Sequence, residues 1–169
     1  MGGISVTLTS YDTTGASPVL AFHPYLDKGN AGLGVCKVLT ATAQCTPSND
    51  DNTTSGEAVK VAFDDRNFDI TGLTFRAKDH SLINAANDGT VTISTDNGSL
   101  TGLFSAFVAL AAGGDAFFAD TSFISFTWVN KDFYVSALGL TEVPVPAALP
   151  LLLSGLAGLG FASRRRKKA

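Results

Sequence analysis

Glu57-Ala-Val-Lys-Val-Ala-Phe-Asp-Asp-Arg-Asn-Phe-Asp-Ile-Thr-Gly-Leu-Thr-Phe75 decides how this chain folds. Val59, Val61 and Phe63 occupy alternate positions, so a strand here buries one face and wets the other. Asp64-Asp-Arg-Asn67 favours a turn, after which Phe68 and Ile70 resume the alternation. Leu73 and Phe75 have the opposite parity. One extra residue at Thr71-Gly72, a β-bulge, returns the apolar side chains to a single face, and glycine suits such a position.

Outward from this hairpin the same period recurs. Ile4, Val6 and Leu8 alternate with Ser5, Thr7 and Thr9, a half-buried strand. Residues 11–30 read as loop with one short strand at 19–22, and Gly32-Leu-Gly-Val-Cys36 leads into a cysteine loop. Thr46-Pro-Ser-Asn-Asp-Asp-Asn-Thr-Thr-Ser-Gly56 is turn and loop, because its side chains compete for backbone hydrogen bonds. Thr90-Val-Thr-Ile-Ser94 is a strand closed by Asp96-Asn97-Gly98. Residues 101–110 read as strand in preference to a short amphipathic helix. Ile124, Phe126 and Trp128 share a face, as do Phe133, Val135 and Ala137, with Tyr134 opposite. About eight or nine strands between turn signals predict an all-β antiparallel sandwich, jelly-roll-like, with an immunoglobulin-like sandwich as the alternative. No fixed-period repeat points to a propeller or solenoid.

The sequence has 169 residues and a formal charge of −3. Residues 143–169 hold five of the twelve Lys and Arg and none of the fifteen Asp and Glu. Residues 1–142 thus carry seven basic against fifteen acidic side chains, a net −8. Such acidity argues against nucleic acid as partner and suits divalent cations and solubility outside the cell.

Cys36 and Cys45, nine positions apart, read as a disulfide closing a short loop, the alternative being two free buried thiols. Beside them Asp50, Asp51 and Glu57 are candidate hard-oxygen ligands for a structural calcium ion. Their spacing does not follow the EF-hand, and the alternative is a solvated polar loop pinned by the disulfide. Asp79-His80 offers an acid that could orient an imidazole, or a hydrogen-bonded turn. No nucleophile elbow, zinc-protease helix or phosphate-cradling glycine loop accompanies it, which favours a non-enzymatic role. For sugar contact the candidates are Trp128, Tyr134, Tyr25 and Tyr11. Tyr134 is preferred, because its parity sets it opposite Phe133 and Val135 and so toward solvent. Asn52-Thr53-Thr54 and Asn97-Gly98-Ser99 are sequons that fit surface loops.

The last 27 residues form a separate unit: a proline box Val143-Pro144-Val145-Pro146-Ala147, an uncharged apolar run to Ala162, and the basic end Arg164-Arg165-Arg166-Lys167-Lys168. At about 16 residues the run is slightly short of the roughly 20 that cross a bilayer as a helix, and the basic end would stay cytoplasmic. The alternative is an ordinary membrane anchor with a basic stop.

This tail resembles the PEP-CTERM sorting signal of Gram-negative bacteria, in the variant whose box reads Val-Pro-Leu-Pro-Ala, with Val145 in place of the usual Leu. The resemblance implies domains 1–142 (ectodomain) and 143–169 (sorting signal with a transmembrane helix). It also implies export, exosortase as partner, transient residence in the inner membrane, and delivery to the cell surface or exopolysaccharide matrix. Met1-Gly-Gly-Ile-Ser-Val-Thr-Leu-Thr9 has neither the basic nor the long apolar region of a signal peptide, so export implies a start upstream of Met1. The order Gly-Val-Cys36, Cys45, the polar loop, Leu-Thr-Phe-Arg76 and Asp79-His80 is similar to ectodomains that carry this tail, and it implies no activity.

Overall fold

The computed structural model describes residues 4–27, 29–64 and 66–143. Its strands are β1 (Val6–Asp12), β2 (Val19–Leu20), β3 (His23–Asp27), β4 (Gly32–Cys36), β5 (Glu57–Phe63), β6 (Phe68–Ala77), β7 (Thr90–Thr95), β8 (Gly98–Leu103), β9 (Phe123–Trp128) and β10 (Phe133–Glu142). One helix, α1 (Phe104–Ala112), and a short 3-10 turn at Ala116–Phe118 lie between β8 and β9. The strands form two antiparallel sheets, in the orders β2-β1-β5-β9-β7-β8 and β3-β4-β10-β6. This is an all-β sandwich of ten described strands, slightly more than the eight or nine expected.

The bulge is where the parity of the sequence requires it. β10 pairs Leu140 with Ile70 and Gly139 with Gly72, leaving Thr71 as the extra residue on β6. Thr71 is exposed, while Phe68, Ile70, Leu73 and Phe75 are all buried. A second irregularity pairs Val135 with Phe75 and Ala137 with Thr74, so Ser136 is the extra residue on β10. Between the two irregularities the backbones are close: a Cβ on Gly139 would lie 3.1 Å from the Gly72 nitrogen. A side chain at Gly139 would thus press on the backbone of β6.

The core sits where the two sheets face one another. Phe75 packs edge-to-face against Phe104 (4.8 Å between centroids) and Phe126 (5.6 Å), and Phe104 against Phe133 (5.2 Å). Such pairs add about 0.5–1.5 kcal/mol each beyond their buried area.

Three expectations change. Residues 101–110 are not one strand: β8 stops at Leu103 and α1 begins at Phe104. Phe104, Phe107 and Ala111 supply a buried helical stripe. Asp88 accepts from the Ser105 backbone N–H and hydroxyl, a cap supplied from outside the helix. Second, residues 11–30 hold β2 and β3 as well as the end of β1. β3 tolerates Pro24 because it is the edge of its sheet. Third, Ile4, Val6 and Leu8 remain 51%, 44% and 37% exposed. The four-stranded sheet covers less than the six-stranded one, so the apolar face of β1 borders an open groove with Leu26, Leu33 and Leu138.

Among the described residues no helix is long and apolar enough to cross a membrane. The apolar run, Pro144, Val145, Pro146, Ala147 and the basic residues Arg164 to Lys168 lie outside the described residues. Val143 follows β10 directly.

Candidate functional site

Residues 46–56 are turn and loop, as their composition predicts, and they are anchored at one end by the disulfide and in the middle by β10. Cys36 and Cys45 are joined, with Cα atoms 5.7 Å apart, fixing the loop's approach to β4. Thr53 and Phe133 exchange backbone hydrogen bonds of 2.8 and 3.2 Å, clamping its centre to β10. The loop lies flat on β4 because Gly34 has no side chain, since a Cβ there would collide with the Asp51 carbonyl oxygen. Asn52 and Thr53 are consequently buried, so the first sequon is not presented at the surface. The second one is held differently: the Asn97 side chain donates to the carbonyls of Ala116, Phe117 and Ala119 at 3.2, 3.3 and 2.7 Å.

The three candidate calcium ligands do not converge on one point. Glu57, fully buried, accepts from Thr54 N–H at 2.7 Å, and its other oxygen lies 3.0 Å from the Lys37 ammonium. That second contact is an ion pair rather than a directed hydrogen bond, because Oε1 has no aligned donor. Asp50 contacts the same ammonium at 3.3 Å. Asp51 instead accepts the Tyr134 hydroxyl. Among the described residues no group of three or more His, Cys, Asp or Glu is arranged to hold a metal ion. The positive charge that balances Asp50 and Glu57 is the chain's own Lys37, and the Glu57 carboxylate beside it holds that ammonium above the ordinary lysine value.

Tyr134 is not on the surface. It is 1% exposed, because the anchored loop and the turn at residues 78–81 cover the outer face of β10. Its ring meets His80 edge-on at 5.4 Å. Burial, and then the Asp51 carboxylate that accepts its hydroxyl, hold the phenol far above its ordinary pKa. A stacking platform for sugar therefore does not form at Tyr134. Trp128, whose parity with Ile124 and Phe126 favours the core, is half-buried against it, and its indole N–H donates to Asp132 at 3.1 Å.

Above Tyr134 the covering segments leave a cleft of about 510 Å³. The loop contributes Ser48, Asn49, Asp51, Asn52 and Thr54. The turn after β6 contributes Lys78 and His80, and the turn before β10 contributes Asp132. Lys78 and Asp132, 3.9 Å apart, also border a neighbouring cavity of about 400 Å³ with Ser81, Asn87, Asn130 and Lys131. Together the two hollows make a groove lined by amides, hydroxyls, carboxylates and ammonium groups. Donors and acceptors in such a mixture match the hydroxyls of a polyol, and neither sign of charge dominates.

His80 is held in the cleft mainly through its backbone. Its backbone is left-handed (φ 64°). The Arg76 guanidinium donates to its carbonyl at 2.6 Å, and its own N–H donates to Ala77 at 2.8 Å. The ring lies 3.5 Å from Asp27, not against its neighbour Asp79. Asp79 accepts instead from the Ser81 hydroxyl at 2.6 Å and N–H at 3.1 Å, which lowers its pKa, so the Asp79-His80 dyad does not form. Lys78 and Asp132 were not singled out by the sequence. They are 54 positions apart on unrelated segments, and no local pattern marks them.

No protein-family model, curated protein or solved structure matches this chain.

Proposed function

We propose that this is an exported, non-enzymatic protein of the surface or extracellular matrix of a Gram-negative bacterium, structural or adhesive within an exopolysaccharide matrix. Residues 143–169 act as its sorting signal. The apolar run holds the chain in the inner membrane as a transmembrane helix, the basic end stays cytoplasmic, and exosortase removes the tail at the proline box. Residues 1–142 are the ectodomain delivered. Its finer architecture is jelly-roll-like, a reading supported by the chain's repeated passage between sheets, at β2 to β3, β4 to β5, β5 to β6, β6 to β7 and β9 to β10.

The observation that carries this reading is the fixed order of box, apolar run and basic end. The Cys36–Cys45 disulfide adds support, since such bonds persist in oxidising compartments. The test is intact mass and C-terminal peptide mapping of the protein from its native host, with membrane and medium analysed separately. A chain ending near residues 143–147 is expected. A full-length chain confined to membranes would sink the proposal.

The groove favours a second, compatible reading, a carbohydrate-binding module that holds matrix polysaccharide by hydrogen bonds rather than by aromatic stacking. Binding of the full chain to the host's exopolysaccharide should weaken several-fold in Lys78→Ala and Asp132→Ala. Unchanged binding in both would remove the groove from that role.

A further inference from the structure

The sheet edges are not equally protected. β2 is two residues long and follows Pro18, and β3 carries Pro24 between His23 and Tyr25. The free side of β6 is covered where Ile83 N–H donates to Phe75 at 3.0 Å and where Thr121 bridges to Phe68. Devices of this kind keep sheets from pairing edge to edge. β1 is open only over residues 6–9, because β2 pairs with Tyr11 and Asp12 and Ala21 N–H donates to the Ser10 carbonyl. β8 has no such device. Gly98-Ser-Leu-Thr-Gly-Leu103 contains no proline and no charge, and its one ladder among the described residues is with β7.

The uncharged run continues through α1 to Gly114. It exposes Leu100 (45%) and Leu103 (50%), and beside them Ala106, Ala109 and Ala112. In a domain of net −8 this neutral strip is where two copies can approach with the least carboxylate repulsion.

Parity then fixes how they would pair. Gly98, Leu100 and Gly102 lie opposite Thr95, Ile93 and Val91, whose side chains face the core. Ser99, Thr101 and Leu103 lie opposite Ser94, Thr92 and Thr90 on the outer face. A two-fold axis normal to the sheet keeps each face on its own side, so a residue can pair only with one of like parity. Centring the axis on Leu100 sets Leu100 against Leu100, Ser99 against Thr101, and Gly98 against Gly102. The hydroxyl rows already formed, Ser94 with Ser99 at 2.9 Å and Thr92 with Thr101 at 2.7 Å, continue across the axis. The two overhanging leucines cover one another, and no like charges meet.

We propose that the protein self-associates through β8, antiparallel to the β8 of a second copy, about a two-fold axis at Leu100. So short a ladder buries less than the roughly 1,600 Å² of a standard interface. The dimer therefore exchanges with monomer and fills at high local concentration.

The test uses the full chain in a mild detergent. Directly opposite side chains in an antiparallel pair are close enough for a disulfide. Leu100→Cys should form a reductant-sensitive dimer several-fold more readily than Leu26→Cys, a control at a site 63% exposed on β3. In sedimentation the average mass of the unmodified chain should rise with concentration, while Leu100→Lys stays monomeric with an unchanged melting curve. Equal cross-linking at positions 26 and 100, or a mass that Leu100→Lys does not alter, would overturn the proposal.

Discussion

The Tyr134 hydroxyl donates to the Asp51 carboxylate, joining a buried side chain of β10 to a loop 83 positions earlier in the chain. The bond holds the loop over β10 and shapes the floor of the polar cleft. Tyr134→Phe keeps the ring and removes the donor. It should lower stability by about 1–2 kcal/mol, read as a shift in the denaturant midpoint without a change in slope. An unchanged midpoint would show that the disulfide and the Thr53–Phe133 bridge hold the loop without it.

Lys37 neutralises Glu57, which is 0% exposed and would otherwise be a buried, unpaired charge. Lys37→Met should cost about 2 kcal/mol, less than a fully buried pair, because the lysine side chain is itself 42% exposed to screening solvent. Calcium should not restore the loss, because the carboxylates do not converge.

The same pair and Tyr134 predict an alkaline limit to stability. The folded Lys37 has its pKa raised above the ordinary 10.5, so its contribution is complete below that value and is lost as pH rises through the folded one. The folded Tyr134 is also raised, so the unfolded chain begins to release its proton near 10.0 while the folded chain does not. Both effects make stability fall above about pH 10. Unfolding titrated from pH 8 to 11 should show a shallower decline in Lys37→Met and in Tyr134→Phe than in the unmodified chain.

Gly139 tests the bulged pairing of β6 with β10. A methyl group there meets the backbone of Gly72 at 3.1 Å, and backbone does not yield as a side-chain end would. Gly139→Ala should destabilise by roughly 1–3 kcal/mol in thermal unfolding. A neutral substitution would mean that the two strands separate there at little cost.

Asn97 ties the β7–β8 turn to the 3-10 segment through three backbone carbonyls. Asn97→Ala should cost on the order of 1–2 kcal/mol and speed amide hydrogen exchange around residues 116–119 before it does so in β5.

Much of the sandwich was legible in the sequence, because strand periodicity is a local property. The parity break between Ile70 and Leu73 located a bulge 60 residues and more from the strand that receives it. Cys36 and Cys45 likewise announced their pairing by proximity. The box, apolar run and basic end are also sequence signals, and they alone carry the proposal about destination. Tertiary structure decided what alternation cannot encode. Tyr134 points away from the core face, as its parity requires, and is still buried, because a distant loop covers that side. β1 has an apolar face that stays open, because the opposing sheet has fewer strands. Residues 101–110 read as strand, yet from Phe104 they are helix, since Asp88 from another segment caps it and Phe104 and Phe107 reach the core. Lys37, from the segment after β4, meets Asp50 and Glu57 of the acidic stretch. Each of these outcomes depends on which segments meet across the fold, and a one-dimensional pattern reports only how each segment faces its own neighbours.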